Sequence, residues 1–114
     1  MQQISSSKIF GGQQLQYRHR SDSLSCDMEF SIYLPPQAES EKVPLVYWLS
    51  GLTSTDQNFV IKAGAQRYAA EQGIAIVCPD TSPRGEGVPD NPEGAYDFGL
   101  GAGFYVNATQ NPWA

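Results

Sequence analysis

The sequence predicts an α/β fold in which an antiparallel hairpin leads into a parallel β-α-β unit. Two stretches near the N-terminus alternate apolar and polar residues with period two, and two later runs are almost continuously apolar. A helix-length, alanine-rich segment separates those later runs.

The alternation first holds from Gln14 to Arg20, with Leu15, Tyr17 and His19 on one face and Gln14, Gln16, Arg18 and Arg20 on the other. It resumes after the polar turn Ser21-Asp22-Ser23, where Cys26, Met28, Phe30, Ile32 and Leu34 oppose Asp27, Glu29, Ser31 and Tyr33 until Pro35-Pro36. Each strand is expected to turn its apolar face inward and keep the polar one wet, at the edge of a sheet. Val43 to Leu49 and Ile74 to Cys78 lack alternation and are expected to be strands covered on both faces. The helix between them should start near Asp56 or Gln57 and end at Gln72. Phe59, Ala63, Gln66 or Arg67, and Ala70 recur at about helical spacing, and Gly73 is placed to stop it. Ser54 with Gln57, three residues on, fits a capping box.

Composition removes several function classes. With a net charge of −5 and no cluster of Lys or Arg, the chain lacks the electrostatic footprint of a nucleic-acid binder. No basic segment leads into an apolar one at the start, and no run approaches the roughly 18 apolar residues of a membrane span. A soluble, cytoplasmic protein without nucleic-acid or membrane partners is expected. Cys26 and Cys78 each lie in an apolar strand-like run with no sign of secretion, so both are expected to be free thiols.

Beyond Pro79-Asp80 the regular pattern ends, and glycine and proline become dense. A loop this long inside a compact domain is either functional or short of its structural context. Two buried parallel strands also need further strands beside them and helices on both faces. Residues 1–114 are therefore expected to be the N-terminal portion of one larger domain, incomplete at its C-terminal end.

The search for a nucleophile returns little. There is no G-x-S-x-G elbow, and the single histidine, His19, lies on the apolar face of a strand. Ser50 and Ser54 have no local base, and neither cysteine has a cationic neighbour in sequence. Metal-ligand spacings, a GxGxxG and a phosphate-binding loop are absent, and neither a metal nor a cofactor is expected. The remaining signal is the junction Ser50-Gly51-Leu52-Thr53, where an apolar strand gives way to a helix. With the hairpin counted as strands one and two, the strand ending at Leu49 is the third. In hydrolases of the α/β class, the loop after that strand supplies one oxyanion-hole N–H. Gly51 permits a sharp turn, so the Leu52 N–H can point into a cleft rather than into a ladder.

Several longer stretches carry a resemblance: LPP at 34–36, YWLSGLTSTDQNF at 47–59, KAGAQRYAAEQGIAIV at 62–77, PDTSPRG at 79–85 and YDFGLGAGFYVNATQNPW at 96–113. Together they cover nearly the whole chain, which resembles the S-formylglutathione hydrolase (esterase D) family. The resemblance implies the N-terminal part of an α/β-hydrolase fold and hydrolysis of S-formylglutathione to glutathione and formate, with activity on small acyl esters. It implies that Leu52 gives one oxyanion-hole N–H and that the nucleophilic serine, the triad acid and the histidine lie beyond residue 114. The family often forms dimers, and a second chain carrying the rest of the domain is the other partner to be considered. This sequence departs from the family at Ser54, where cysteine is common, which puts any thiol sensitivity of the site in doubt.

Three further residues are left with two readings each. Phe104, after the Gly-rich run Gly99-Leu100-Gly101-Ala102-Gly103, either walls an acyl pocket or follows a structural turn. Arg84 either meets a glutathione carboxylate or pairs with Glu86 or Asp80. Ser54 either faces substrate or caps the helix. The competing functions are another esterase or acyltransferase of the same fold and a non-catalytic binding domain.

Overall fold

The computed structural model describes residues 1–114 and places five strands in one mixed sheet. These are β1 (Gln2–Ile9), β2 (Gly12–Ser21), β3 (Cys26–Leu34), β4 (Leu45–Tyr47) and β5 (Ala75–Pro79), in spatial order β1-β2-β3-β5-β4. The first three strands are successively antiparallel, β5 is antiparallel to β3, and β4 runs parallel to β5. The expected hairpin and β-α-β unit are both present, with the returning strand β5 inserted between β3 and β4. No helix is long and apolar enough to cross a membrane.

β1 has no counterpart in the sequence reading. Its segment QQISSSKI is polar, unpatterned and almost wholly exposed, and it is held by backbone pairing with β2. The two strands meet at Phe10-Gly11, where φ is +48° and +75°. Positive φ at both central residues is what a two-residue type I′ hairpin requires. β4 is thus fourth along the chain, and third only when counting starts at β2.

The register shows which face the helices cover, and it is not the expected one. Gln14, Tyr33 and Ile76 are cross-strand partners, as are Gln16, Ser31 and Cys78, so these side chains share a face. Two helices, α1 (Gln57–Lys62) and α2 (Ala65–Gln72), follow β4. Gln66 on α2 donates to Gln14 Oε1 (3.2 Å), and Asp56, just before α1, accepts from Gln16 and Ser31. The polar side of the hairpin therefore lies under the helices, against the expectation that it would be wet. It can lie there because most of its polar groups are paired with one another, the buried Gln14 Nε2 being without a partner. On the opposite face Tyr17 stacks on Phe30 (centroids 5.4 Å apart) and His19 meets the same ring edge-on, a structural setting for the lone histidine.

The single helix expected up to Gln72 is two. Gly64 adopts φ +64°, ψ +24°, a left-handed conformation that ends α1 and starts α2. Ala63, expected on the covered face, is exposed, whereas Gln66 and Ala69 are buried. The stop at Gly73 is as predicted: it is left-handed, and the Ile74 N–H reaches back to the Ala69 carbonyl (2.9 Å), closing a Schellman-type cap.

The apolar run at 43–49 is also not covered on both faces. Only Leu45–Tyr47 pair as strand, and these three residues and Leu49 are each close to half exposed or more. β4 is the sheet's edge, with β5 its one neighbour, so one side of its backbone and much of its apolar surface have nothing packed on them. β5 is buried as expected, with Ala75, Val77 and Cys78 in the core.

Candidate active site

The junction after β4 is built peptide by peptide. Trp48 makes the last ladder bond, its N–H to the Val77 carbonyl (2.9 Å), and its ring stacks on Phe59 of α1 with centroids 4.1 Å apart. The chain then leaves the sheet. Ser50 is buried, and its carbonyl accepts a long bond from the Thr81 hydroxyl (3.4 Å).

Gly51 to Ser54 form a tight turn in which the Ser54 N–H donates to the Gly51 carbonyl (3.1 Å). Positive φ occurs only at its third residue, Thr53 (+64°), the pattern of a type II turn. A β-branched residue in this region is an outlier, and such strain costs about 1–3 kcal/mol. The strained residue is held from outside the turn: the Thr53 N–H donates to the Gly101 carbonyl (2.8 Å).

This arrangement fixes the direction of the Leu52 N–H. A trans peptide sets C=O and N–H on opposite sides of its plane. The Gly51 carbonyl points into the turn to meet Ser54, so the Leu52 N–H, which belongs to the same peptide, points out of it. Within the chain it has no acceptor. Leu52 itself is 45% exposed.

The helix entry differs by one residue from the expected capping box. The Thr55 hydroxyl accepts the Gln57 N–H (3.1 Å), while Asn58 Oδ1 accepts the Thr55 N–H (2.8 Å). Ser54 and Gln57 do not cap each other. The Ser54 hydroxyl makes no hydrogen bond in the chain, and the Gln57 amide turns instead to Ser31 and Asp56. Asp56 is 2% exposed, with Oδ2 accepting from the Ser31 hydroxyl (2.6 Å), Gln16 Nε2 (3.0 Å) and Gln57 Nε2 (3.0 Å). This network fastens the far end of the loop to β2 and β3. Burial, with the nearby Asp56 carboxylate adding to it, pushes the Cys78 thiol up to about 11, so Cys78 is a protonated core residue rather than a nucleophile. Cys26 is likewise a free thiol.

Of the residues singled out from sequence, Gly51, Leu52 and Ser54 come together in one turn. Phe104 stands apart, 55% exposed, with its ring 6.5 Å from that of Phe98. The Gly-rich run before it threads between two loops. Gly101 is hydrogen-bonded to Thr53 through its carbonyl and to the Ser82 hydroxyl through its N–H (3.1 Å), and a Cβ on Gly103 would meet the Thr81 carbonyl. Arg84 pairs with Asp80 rather than Glu86, Nε to Oδ2 at 2.7 Å, and also donates from Nη2 to the Ser54 carbonyl (3.0 Å). Thr53, Ser82 and Gly101 went unmarked as site residues. The one sequence signal for the last was the glycine density from Gly99 to Gly103.

Residues 21–114 match the Esterase family. An S-formylglutathione hydrolase of Rattus norvegicus is 56% identical over 113 residues, and that of Mus musculus is 55% identical. Both matches cover 99% of this chain, which spans 40% of the length of each relative. The solved S-formylglutathione hydrolase of Agrobacterium tumefaciens is 47% identical with a TM-score of 0.95, again over 99% of this chain and 40% of that one. A ferulic acid esterase of Anaeromyces mucronatus shares the fold at 18% identity, with a TM-score of 0.56 over 81% of this chain and 34% of that one.

Proposed function

The chain belongs to the Esterase family, and from that premise we propose that residues 1–114 are the N-terminal portion of one α/β-hydrolase domain whose complete form is a serine hydrolase. Its substrate is S-formylglutathione, cleaved to glutathione and formate in cytoplasmic formaldehyde detoxification, with carboxylesterase activity on small acyl esters. The similarity to rat, mouse and Agrobacterium proteins of that name supports the substrate. The observation that carries the mechanism is the outward, unpaired N–H of Leu52.

In this reading a serine outside residues 1–114, activated by a histidine, attacks the formyl carbon. The Leu52 N–H and the N–H following that serine hold the tetrahedral oxyanion. Glutathione leaves as its thiolate, and water then releases formate from the acyl-enzyme. Gly51 acts through the turn that aims Leu52. Ser54, whose hydroxyl is unengaged, is the substrate-side neighbour within the turn, and Phe104, exposed and apart from it, is read as an apolar wall of the acyl pocket.

The test is a hybrid in which residues 1–114 are joined to the C-terminal remainder of the rat S-formylglutathione hydrolase. It is expected to release free thiol from S-formylglutathione faster than it cleaves nitrophenyl acetate, whereas residues 1–114 alone turn over neither. A folded hybrid active only on the acetate would assign a different esterase, and one inactive on both would refute the enzyme reading.

A further inference from the structure

We propose that Arg84 is a positioning residue for the oxyanion loop, its forked guanidinium tying the Ser54 carbonyl to the Asp80 carboxylate. The inference rests on the reading of Leu52 as an oxyanion donor and adds to it the device that holds that donor still.

The contacts form a closed ring. Arg84 donates from Nη2 to the Ser54 carbonyl and from Nε to Asp80 Oδ2. Asp80 Oδ1 accepts the Ser82 N–H (3.2 Å), the Ser82 hydroxyl accepts the Gly101 N–H, and the Gly101 carbonyl accepts the Thr53 N–H. The ring therefore grips two adjacent residues of the turn, Thr53 by its N–H and Ser54 by its C=O, directly after Leu52. Both residues at its base are sheltered, with the Asp80 side chain 9% exposed and Ser82 buried. Asp80 is itself anchored by its N–H to the Glu29 carbonyl of β3 (2.9 Å). The sheet thus holds Asp80, Asp80 holds Arg84, and Arg84 holds the turn.

The arrangement suits arginine specifically. Nε and Nη2 are separate donors fixed in one plane, so one side chain can reach two acceptors in different loops, whereas a lysine ammonium is a single centre on a flexible stem. The strain at Thr53 gives the ring something to oppose. A left-handed, β-branched residue favours relaxation of its φ, and that would carry the Leu52 backbone with it.

The experiment compares Arg84→Met, Arg84→Lys and Ser82→Ala in the active hybrid. Arg84→Met is expected to lower kcat by roughly 10- to 100-fold, since small misplacements of reacting groups cost that much, while KM moves by less than about twofold. The loss should be the same for S-formylglutathione and nitrophenyl acetate, and a trifluoromethyl ketone that mimics the oxyanion adduct should bind more weakly by a similar factor. Arg84→Lys should recover only part of the loss. Ser82→Ala, which opens the ring without touching Arg84, should lower kcat in the same pattern, so a folding failure of one variant does not remove the test.

A KM increase confined to S-formylglutathione would instead make Arg84 a ligand for a glutathione carboxylate and overturn the proposal. So would full activity of Arg84→Lys, or unchanged kcat per folded molecule in Arg84→Met. If the unmutated hybrid is inactive, the functional reading fails first and the outcomes are distinct.

Discussion

Replacing Leu52 with proline removes one N–H and leaves the turn's own hydrogen bond in place. Leu52 is the second residue of a type II turn, a position where proline is favoured, and the bond that closes the turn runs between Ser54 and Gly51. The deleted N–H has no acceptor in the chain, so no internal hydrogen bond is lost. Proline should also reduce the freedom of the unfolded chain, worth about 0.4–1 kcal/mol where the backbone tolerates it. Stability is therefore expected to change by no more than about 1 kcal/mol. The expected cost to the transition state is much larger, about 2.7–4 kcal/mol for one oxyanion donor, or roughly 100- to 1,000-fold in kcat. The assay is steady-state turnover of S-formylglutathione by the hybrid, with thermal melting as the check on folding. Leu52→Ala is the control: it keeps the backbone donor and trims an exposed side chain, so kcat should stay within about threefold, a loss below 1 kcal/mol. A folded Leu52→Pro hybrid retaining more than about a tenth of the unmutated kcat would refute the oxyanion assignment.

Asp56→Ala removes the acceptor shared by Gln16, Ser31 and Gln57; Gln16 keeps Glu29 and Gln57 keeps Ser31, but the buried Ser31 hydroxyl loses its acceptor, which should cost about 1–3 kcal/mol, read as a lower denaturant midpoint. Cys78 should resist thiol reagents in the native protein while the half-buried Cys26 reacts faster. Because the folded thiol titrates near 11 and an unfolded one near 8.5, the unfolded chain loses its proton first. Stability should then fall as pH rises between those values, and Cys78→Ala should lessen that slope in unfolding titrations, leaving the part due to Tyr33, whose hydroxyl is also raised above its ordinary value by burial. Gly64→Ala should destabilise by about 1 kcal/mol through its left-handed φ alone, since no atom lies within 4 Å of the added methyl; a gain in melting temperature would show that one continuous helix is preferred.

Side-chain alternation identified β2 and β3 and which residues share a face, because period two is geometric. It could not say which face the helices would cover. Polarity argued for the side bearing Leu15 and Tyr17, yet the side bearing Gln14, Gln16 and Ser31 lies under α1 and α2. What makes this affordable is pairing across long separations, such as Gln16 to Asp56 and Gln14 to Gln66, that no local pattern announces. β1 left no trace because its stability comes from backbone ladder bonds and a two-residue turn. Gly64 was hidden inside an alanine-rich run, where an isolated glycine is ordinarily tolerated as helix. The glycine at the end of an apolar strand did reveal where a donor could be presented, and the residues that hold it there were less visible. Thr53, Ser82 and Gly101 are ordinary residues whose roles arise from contacts 19 or more positions apart.

The turn after β4 is economical in its peptide groups. The N–H of Thr53 is taken by Gly101, that of Ser54 by Gly51 and that of Thr55 by Asn58, the carbonyls of Ser50, Gly51 and Ser54 each accept a hydrogen bond, and the N–H groups of Ser50 and Gly51, like that of Leu52, have no acceptor in the chain. What sets the Leu52 N–H apart from those two is its direction, because its own peptide's carbonyl is the group that closes the turn. Such a donor stays solvated until an anion arrives, so it contributes little to folding and can contribute fully to a developing oxyanion. The strain at Thr53, about 1–3 kcal/mol, is smaller than the roughly 2.7–4 kcal/mol an oxyanion donor supplies, so the conformation is sustainable if catalysis is what it serves. Positive φ also occurs at Phe10, Ser25 and Tyr105, so the ground for preferring the hydrolase reading to a non-catalytic one is the aim of the Leu52 N–H and not the strain beside it.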